Sequence, residues 1–238
     1  MRITVVFDNR EPAPGYSGSS LGTAWGFACV VDTASERILF DTGSDGATLV
    51  DNMRALGIDP GTIDILMFSH EHWDHTGGVD ALFESGARPT AYVPQSFSAE
   101  FREHLASHGP VIEVDAGSAV GATSRTTGEM GVTIIEQALA VETSEGLVVV
   151  SGCAHPGIAE MVRVAADGCR VALVIGGFHL KDADERKIDT TVDALEALGV
   201  DRVAPTHCTG DDAIARFAVA FGDRYSDIGV GSVLEVGL

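Results

Sequence analysis

Apolar residues in this chain come in short, β-branched runs, and segments of helical spacing stand between them along most of its length. Ile3–Phe7, Thr23–Val31 and Arg37–Phe40 read as strands, as does the apolar stretch Ile63–Phe68. Thr48–Leu56 has helical spacing and stops at Gly57, where a residue free to adopt positive φ can close a helix. Ser96–Ser107 reads as a helix and Val111–Val114 as a strand. The second half repeats the plan, with strands at Leu147–Val150, Val171–Ile175 and Arg202–Ala204. Helices are predicted at Ile158–Ala166, at Asp184–Leu198 and after Gly210. Such alternation predicts an α/β protein with layered sheets. One long connection breaks the rhythm. Asn9–Ser20 is rich in Pro, Gly and Ser and exceeds any tight hairpin turn, so it is either functional or disordered.

The histidines follow this pattern. Six of the eight (His70, His72, His75, His155, His179 and His207) fall where a predicted strand ends. Loops at strand ends, held by a rigid sheet, are where α/β proteins place ligands and chemistry. The densest group is Ser69-His-Glu-His-Trp-Asp-His-Thr-Gly-Gly78, which puts three imidazoles and the Asp74 carboxylate within six residues. That concentration is costly unless a cation satisfies it, and neutral imidazole with carboxylate suits zinc, iron or manganese. His104 and His108, four apart near a helix end, read as a solvated face.

Composition narrows the function further. At 238 residues and 45% hydrophobic, the chain can bury a large core as one α/β domain, 1–238. A formal charge of −20 argues against nucleic acid or an anionic membrane as partner, since phosphate contacts need cationic surface. No segment reaches the roughly 18 apolar residues of a membrane span, and Met1–Phe7 lacks the long apolar region of a signal peptide. Cys29, Cys153, Cys169 and Cys208 show no C-x-x-C spacing and read as reduced thiols, so a cytoplasmic protein is expected. Cys153 and Cys208 flank histidines but are expected to be small packing residues. Nothing in the sequence specifies an oligomeric state.

Five boxes occur in order: Asp41-Thr-Gly43, Ser69–Gly78, Ser151-Gly-Cys-Ala-His155-Pro-Gly157, Gly176-Gly-Phe-His179-Leu180 and Pro205-Thr-His207-Cys-Thr-Gly210. Together they resemble the metallo-β-lactamase superfamily. Within it they look like the 7,8-dihydropterin-6-yl-methyl-4-(β-D-ribofuranosyl)aminobenzene 5′-phosphate synthase-like subgroup. The resemblance implies an αββα sandwich, two mixed sheets between helical layers, with one or two divalent ions at one edge. It implies His70, His72 and His155 as ligands of a first ion, and Asp74, His75 and His207 as ligands of a second. Asp41 is expected to orient ligand histidines from behind, the alternative reading being a cap of the helix that follows.

One departure from the hydrolytic pattern stands out. Those relatives usually carry a bridging Asp between the third and fourth histidine boxes, where this chain has Gly176-Gly177-Phe178-His179. His179 then either ligates in the carboxylate's place or faces substrate as a general acid/base or phosphate donor, the remaining alternative being a buried structural imidazole. Glu71 is expected to be solvated. His72 stands where oxygen- and nitric-oxide-reducing relatives carry Glu, and no flavodoxin-like domain follows Leu238, so redox chemistry is not expected.

The resemblance therefore implies a metal-dependent enzyme acting on a small anionic, phosphorylated substrate. Its reaction is either hydrolysis of a phosphodiester, lactone or thioester, or loss of pyrophosphate from a dihydropterin pyrophosphate to an arylamine. A metal-binding member without turnover is the third reading. An anion entering so acidic a protein needs local positive potential. Lys181, two residues after His179, is the best-placed side chain to supply it, while Arg10 and Arg125 read as solvated.

Overall fold

The computed structural model describes residues 1–11 and 21–237, so most of the expected Asn9–Ser20 loop lies outside the described residues. Seven strands form the first sheet. In chain order they are β1 (Arg2–Asp8), β2 (Phe27–Asp32), β3 (Arg37–Phe40), β4 (Ile65–Met67), β5 (Thr90–Pro94), β6 (Val111–Val114) and β12 (Val233–Glu235). β12, β1, β2 and β3 pair antiparallel, and β3 through β6 pair parallel. The second sheet holds β7 (Ser124–Thr126), β8 (Leu139–Thr143), β9 (Gly146–Ser151), β10 (Val171–Gly177) and β11 (Arg202–Thr206). Here β7, β8 and β9 are antiparallel, and β9, β10 and β11 are parallel. Both sheets are mixed, as expected.

Alternation along each strand divides the core into layers. Phe27, Cys29 and Val31 of β2 face Val148, Val150, Leu173 and Ile175 of the other sheet, forming the layer between the two. Ala28 and Val30 face the opposite way, onto the helices α1 (Gly46–Ala55), α3 (Val79–Glu84) and α4 (Ala99–Ala106) through Leu49, Met53, Leu82 and Leu105. On the second sheet Val149 and Val174 meet α5 (Ile158–Ala166), α6 (Glu185–Ala197) and α7 (Asp211–Phe221) through Met161, Val192 and Phe217. Strands covered on both faces must be apolar throughout, which is why their sequences run continuously hydrophobic. The result is an αββα sandwich. Among the described residues no helix is long and apolar enough to cross a membrane.

Two features matter for the site. The carboxyl ends of β3 and β4 in one sheet meet those of β9, β10 and β11 in the other at one edge, joined by contacts between the loops that follow them. And β2 starts at Phe27, later than the expected Thr23, because Trp25 leaves the strand path and packs on His207 with ring centroids 4.9 Å apart.

Candidate metal centre

The sheet edge gathers all six strand-end histidines. After β4 the chain turns at Ser69-His70 and enters the single-turn helix α2 (Trp73–Thr76), which carries Asp74 and His75. His70, His72 and His155 stand face to edge, with ring centroids 4.5 Å (His70–His72), 4.7 Å (His70–His155) and 5.0 Å (His72–His155) apart. Beside them Asp74 Oδ2 lies 3.4 Å from His207 Nε2 and 3.7 Å from His75 Nε2. The two donor sets named by the resemblance are thus two adjacent clusters.

Most of these rings are held from behind by the nitrogen facing away from the centre. Asp41, fully buried, is the hub. Its Oδ1 accepts from the Ser69 backbone N–H at 2.7 Å, and its Oδ2 accepts from Ser69 Oγ and from His75 Nδ1, each at 2.7 Å. Ser69 Oγ, having donated its proton to Asp41, accepts from His70 Nδ1 at 2.8 Å. His207 Nδ1 donates to Asn9 Oδ1 at 2.7 Å, and His155 Nδ1 donates to Glu136 Oε2 at 2.8 Å. An imidazole whose Nδ1–H is so committed presents a bare Nε2 lone pair, the form that binds a metal. Nε2 of His70 and of His207 are both buried and have no hydrogen-bond partner among the described residues. Buried polar atoms left unsatisfied are rare and need a reason. Two such nitrogens, aimed into a cluster of donors, fit a divalent cation.

Three details depart from expectation. Asp41 does not cap the helix after it; Asp45 does, accepting from Thr48 N at 2.8 Å. Cys153 is buried, as expected, but it is no mere packing residue. Its sulfur lies 3.3 Å from His75 Nε2 and belongs to donor groups with Asp74, His75 and His207, with His70 and His155, and with His179 and Cys208. Glu136 gave no signal beyond being a lone acid after Ile134-Ile135. Yet it accepts from the backbone N–H groups of Cys153, Ala154 and His155, each at 2.8 Å, as well as from the His155 ring. Burial would raise its pKa, but His155 and these N–H groups outweigh that and hold it well below the usual carboxylate range.

His179 is exposed at φ 50°, with its ring 4.4 Å from that of His155 and grouped with Cys153 and Cys208. Lys181 holds its ammonium 4.4 Å over the Trp25 ring, and both line a cavity of about 360 Å³ with His179, Asp182 and Cys208. The other basic candidates are engaged elsewhere. Arg10 pairs with Asp227 at 3.0 Å and Arg125 with Glu142 at 2.9 Å. Glu71 is exposed, and Asp184 caps α6. His104 pairs with Asp80 at 2.6 Å on the surface, while His108 stacks on Phe83.

Close approach of the loops depends on glycine. A Cβ at Gly152 would strike Ser69 Oγ, and one at Gly177 would strike the Gly152 carbonyl and the Cys208 sulfur. Without those two positions the Cys153–His155 and His179 segments could not lie against the Ser69–His75 loop.

Electrostatics within the centre are uneven. Burial drives His70 well below the ordinary imidazole range and lowers His72 too, keeping both neutral. Burial would do the same to His75, but Asp41 and then Asp74 outweigh it and raise its pKa to about 9 in the metal-free protein. A cation binding there must displace that proton. Affinity at this donor set is therefore expected to fall by at least about tenfold per pH unit as pH drops below the His75 pKa. Competition titrations against a chromophoric chelator between about pH 7 and pH 9 check this slope. Equal affinity at both ends would contradict the protonated His75.

Comparison with known proteins agrees with this geometry. A model of the metallo-beta-lactamase superfamily matches residues 26–207. The 7,8-dihydropterin-6-methyl-4-(beta-D-ribofuranosyl)-aminobenzene-5'-phosphate synthase of Methanocaldococcus jannaschii is 28% identical, over 97% of this chain and 96% of its own. A crystal structure described as a metal-dependent hydrolase of the beta-lactamase superfamily superposes with a TM-score of 0.83. It is 28% identical, covering 100% of this chain and 99% of the other. The metallo-beta-lactamase fold protein YhfI from Bacillus subtilis superposes at 0.72 with 14% identity over 98% of this chain and 99% of its own, a likeness of fold alone.

Proposed function

This chain belongs to the metallo-β-lactamase superfamily, and on that premise we propose that it is a metal-dependent enzyme acting on a small, phosphorylated anion, with a reaction like that of the dihydropterin–ribofuranosylaminobenzene phosphate synthase. One observation carries the reading most. Four imidazoles (His70, His75, His155 and His207) are each fixed through Nδ1 by a dedicated acceptor, and two of them leave buried Nε2 atoms unsatisfied. His70, His72 and His155 would hold one ion, and Asp74, His75 and His207 a second. When bound there, divalent ions supply Lewis acidity, bringing the pKa of water toward about 7 and neutralising charge that builds up on phosphate oxygens.

The chain's own residues do the rest. Lys181 presents a positive charge at the mouth of a strongly acidic protein, next to the donor sets and over an aromatic face. Trp25 gives that cavity a flat apolar wall suited to a ring-bearing substrate. The neighbouring Cys208 sulfur raises the His179 pKa against the opposing effect of burial, which favours the protonated form of this exposed ring. It is placed to hand that proton to a leaving oxygen or to hydrogen-bond a phosphate.

Loss of the Lys181 charge is expected to act on binding. Lys181→Ala should raise KM for a phosphorylated substrate by roughly tenfold while metal content stays unchanged, the signature of a lost charge-assisted contact. Unchanged steady-state kinetics would return Lys181 to a surface role.

A second reading, general hydrolysis, is favoured by the likeness to a metal-dependent hydrolase at a TM-score of 0.83. One assay separates the two. Metal-loaded protein is given a dihydropterin pyrophosphate with the aminobenzene ribosyl phosphate, and separately phosphodiesters, lactones and thioesters. Formation of the coupled pterin product supports the synthase-like reading. Turnover confined to the hydrolysis panel overturns it in favour of a hydrolase, and no turnover on any substrate overturns both.

A further inference from the structure

Cys153 occupies a position that the two histidine clusters do not explain. It is the single residue common to all three groups of potential donors among the described residues, and its sulfur faces both clusters at once. We propose that Cys153 is a thiolate ligand shared by the two ions, lying between the His70–His72–His155 set and the Asp74–His75–His207 set. The inference rests on the reading of this edge as a metal centre.

Three observations carry it. The first is distance. Cys153 Sγ lies 3.3 Å from His75 Nε2, close to the roughly 3.5 Å that separates a sulfur and a nitrogen bound to one tetrahedral ion. The second is how firmly the sulfur is aimed. Glu136 holds the backbone N–H groups of residues 153 to 155, Ala154 sits at φ 60°, and Cys153 is 4% exposed. The third is that the nitrogens sharing its space are the unsatisfied ones. His70 belongs to one group with Cys153 and His207 to the other, and the Nε2 of each is buried without a hydrogen-bond partner among the described residues, His207 Nε2 having only the Asp74 carboxylate at 3.4 Å.

Charge supplies the reason for a shared anion. The donor groups with Cys153 contain a single carboxylate, Asp74. Asp41 and Glu136 act only from behind the rings, so one anionic ligand faces two dications, and adjacent cations in low dielectric repel strongly. A thiolate between them screens that repulsion. On ligation the Cys153 thiol releases its proton to solvent, as thiol ligands do. A sulfur donor also selects softer ions, favouring zinc, iron or cobalt over magnesium and manganese.

The test uses cobalt(II) added to the full-length protein after removal of endogenous metal by chelator. The parent protein should develop a near-ultraviolet sulfur-to-cobalt charge-transfer band that keeps growing through a second equivalent. Cys153→Ala and the size-matched Cys153→Ser should abolish the band and lose one of the two equivalents, whereas Cys208→Ala should keep both. The parent spectrum needs no variant, so a folding failure in the substitutions leaves the decisive measurement intact. Cobalt bound without the band, or a band that survives Cys153→Ser, overturns the thiolate ligand. A band complete after one equivalent overturns the sharing. No cobalt uptake at all overturns the metal centre itself, a separate outcome.

Discussion

Replacing Glu136 by Ala is expected to destabilise the protein by about 3 to 5 kcal/mol and to strip metal from the centre. The carboxylate is fully buried and is the acceptor for three backbone N–H groups and for His155 Nδ1. Its removal leaves those donors in the interior without a partner, at about 1–3 kcal/mol each where water cannot reach them. The positive φ of Ala154 then loses what enforces it. For a chain of this size the loss corresponds to a fall in Tm of roughly 10 °C. Metal affinity should drop by about 10- to 100-fold as the His155 ring loses its orientation. Thermal unfolding and elemental analysis of one preparation check both effects, and an unchanged midpoint would contradict the role assigned to Glu136. The pH dependence follows the same logic. Glu136 is held below the usual carboxylate range in the fold, so its contribution is complete above the unfolded value near 4.3 and is lost as pH falls below it. Glu136→Ala should lack that part of the acid sensitivity.

The second large effect concerns the ligands themselves. His72→Ala combined with His155→Ala removes two of the three imidazoles of the first set, and His70 alone cannot hold an ion there. Turnover of whatever substrate the parent accepts should fall by at least about 10³-fold, since Lewis acidity at that position goes with the ligands. The fold should survive. His72 is partly exposed, and both rings lie at the sheet edge outside the three apolar layers. An unchanged far-ultraviolet spectrum with lost turnover is the expected pair of results; retained turnover would contradict the assignment.

Strands buried on both faces announce themselves in sequence because most positions are apolar, and β1, β3, β9 and β10 were legible for that reason. The edge strands β6 and β11 were read too, but β7 and β12 were not. β7 reads Ser-Arg-Thr and β12 spans three residues of which two are exposed, so neither carries a pattern that separates it from a loop. The site was legible where residue type alone dictates chemistry, as in His-x-His-x-Asp-His. It was illegible where role depends on which chain segments meet. Glu136 lies in an apolar run and Asn9 at the start of a loop, and only the meeting of loops makes them anchors for His155 and His207. Cys153 illustrates the same limit. A buried cysteine near a histidine in sequence is ordinarily packing, and only the convergence of the two sheets puts its sulfur among both donor sets.

The measurement that bears most directly on the account is elemental analysis of the protein purified without chelator, beside its His72→Ala/His155→Ala variant. The parent is predicted to carry between one and two zinc, iron or manganese ions per chain, and the variant to lose those of the first donor set. Equal metal content in parent and variant, or a parent that takes up none of these ions when supplied with them, would contradict it.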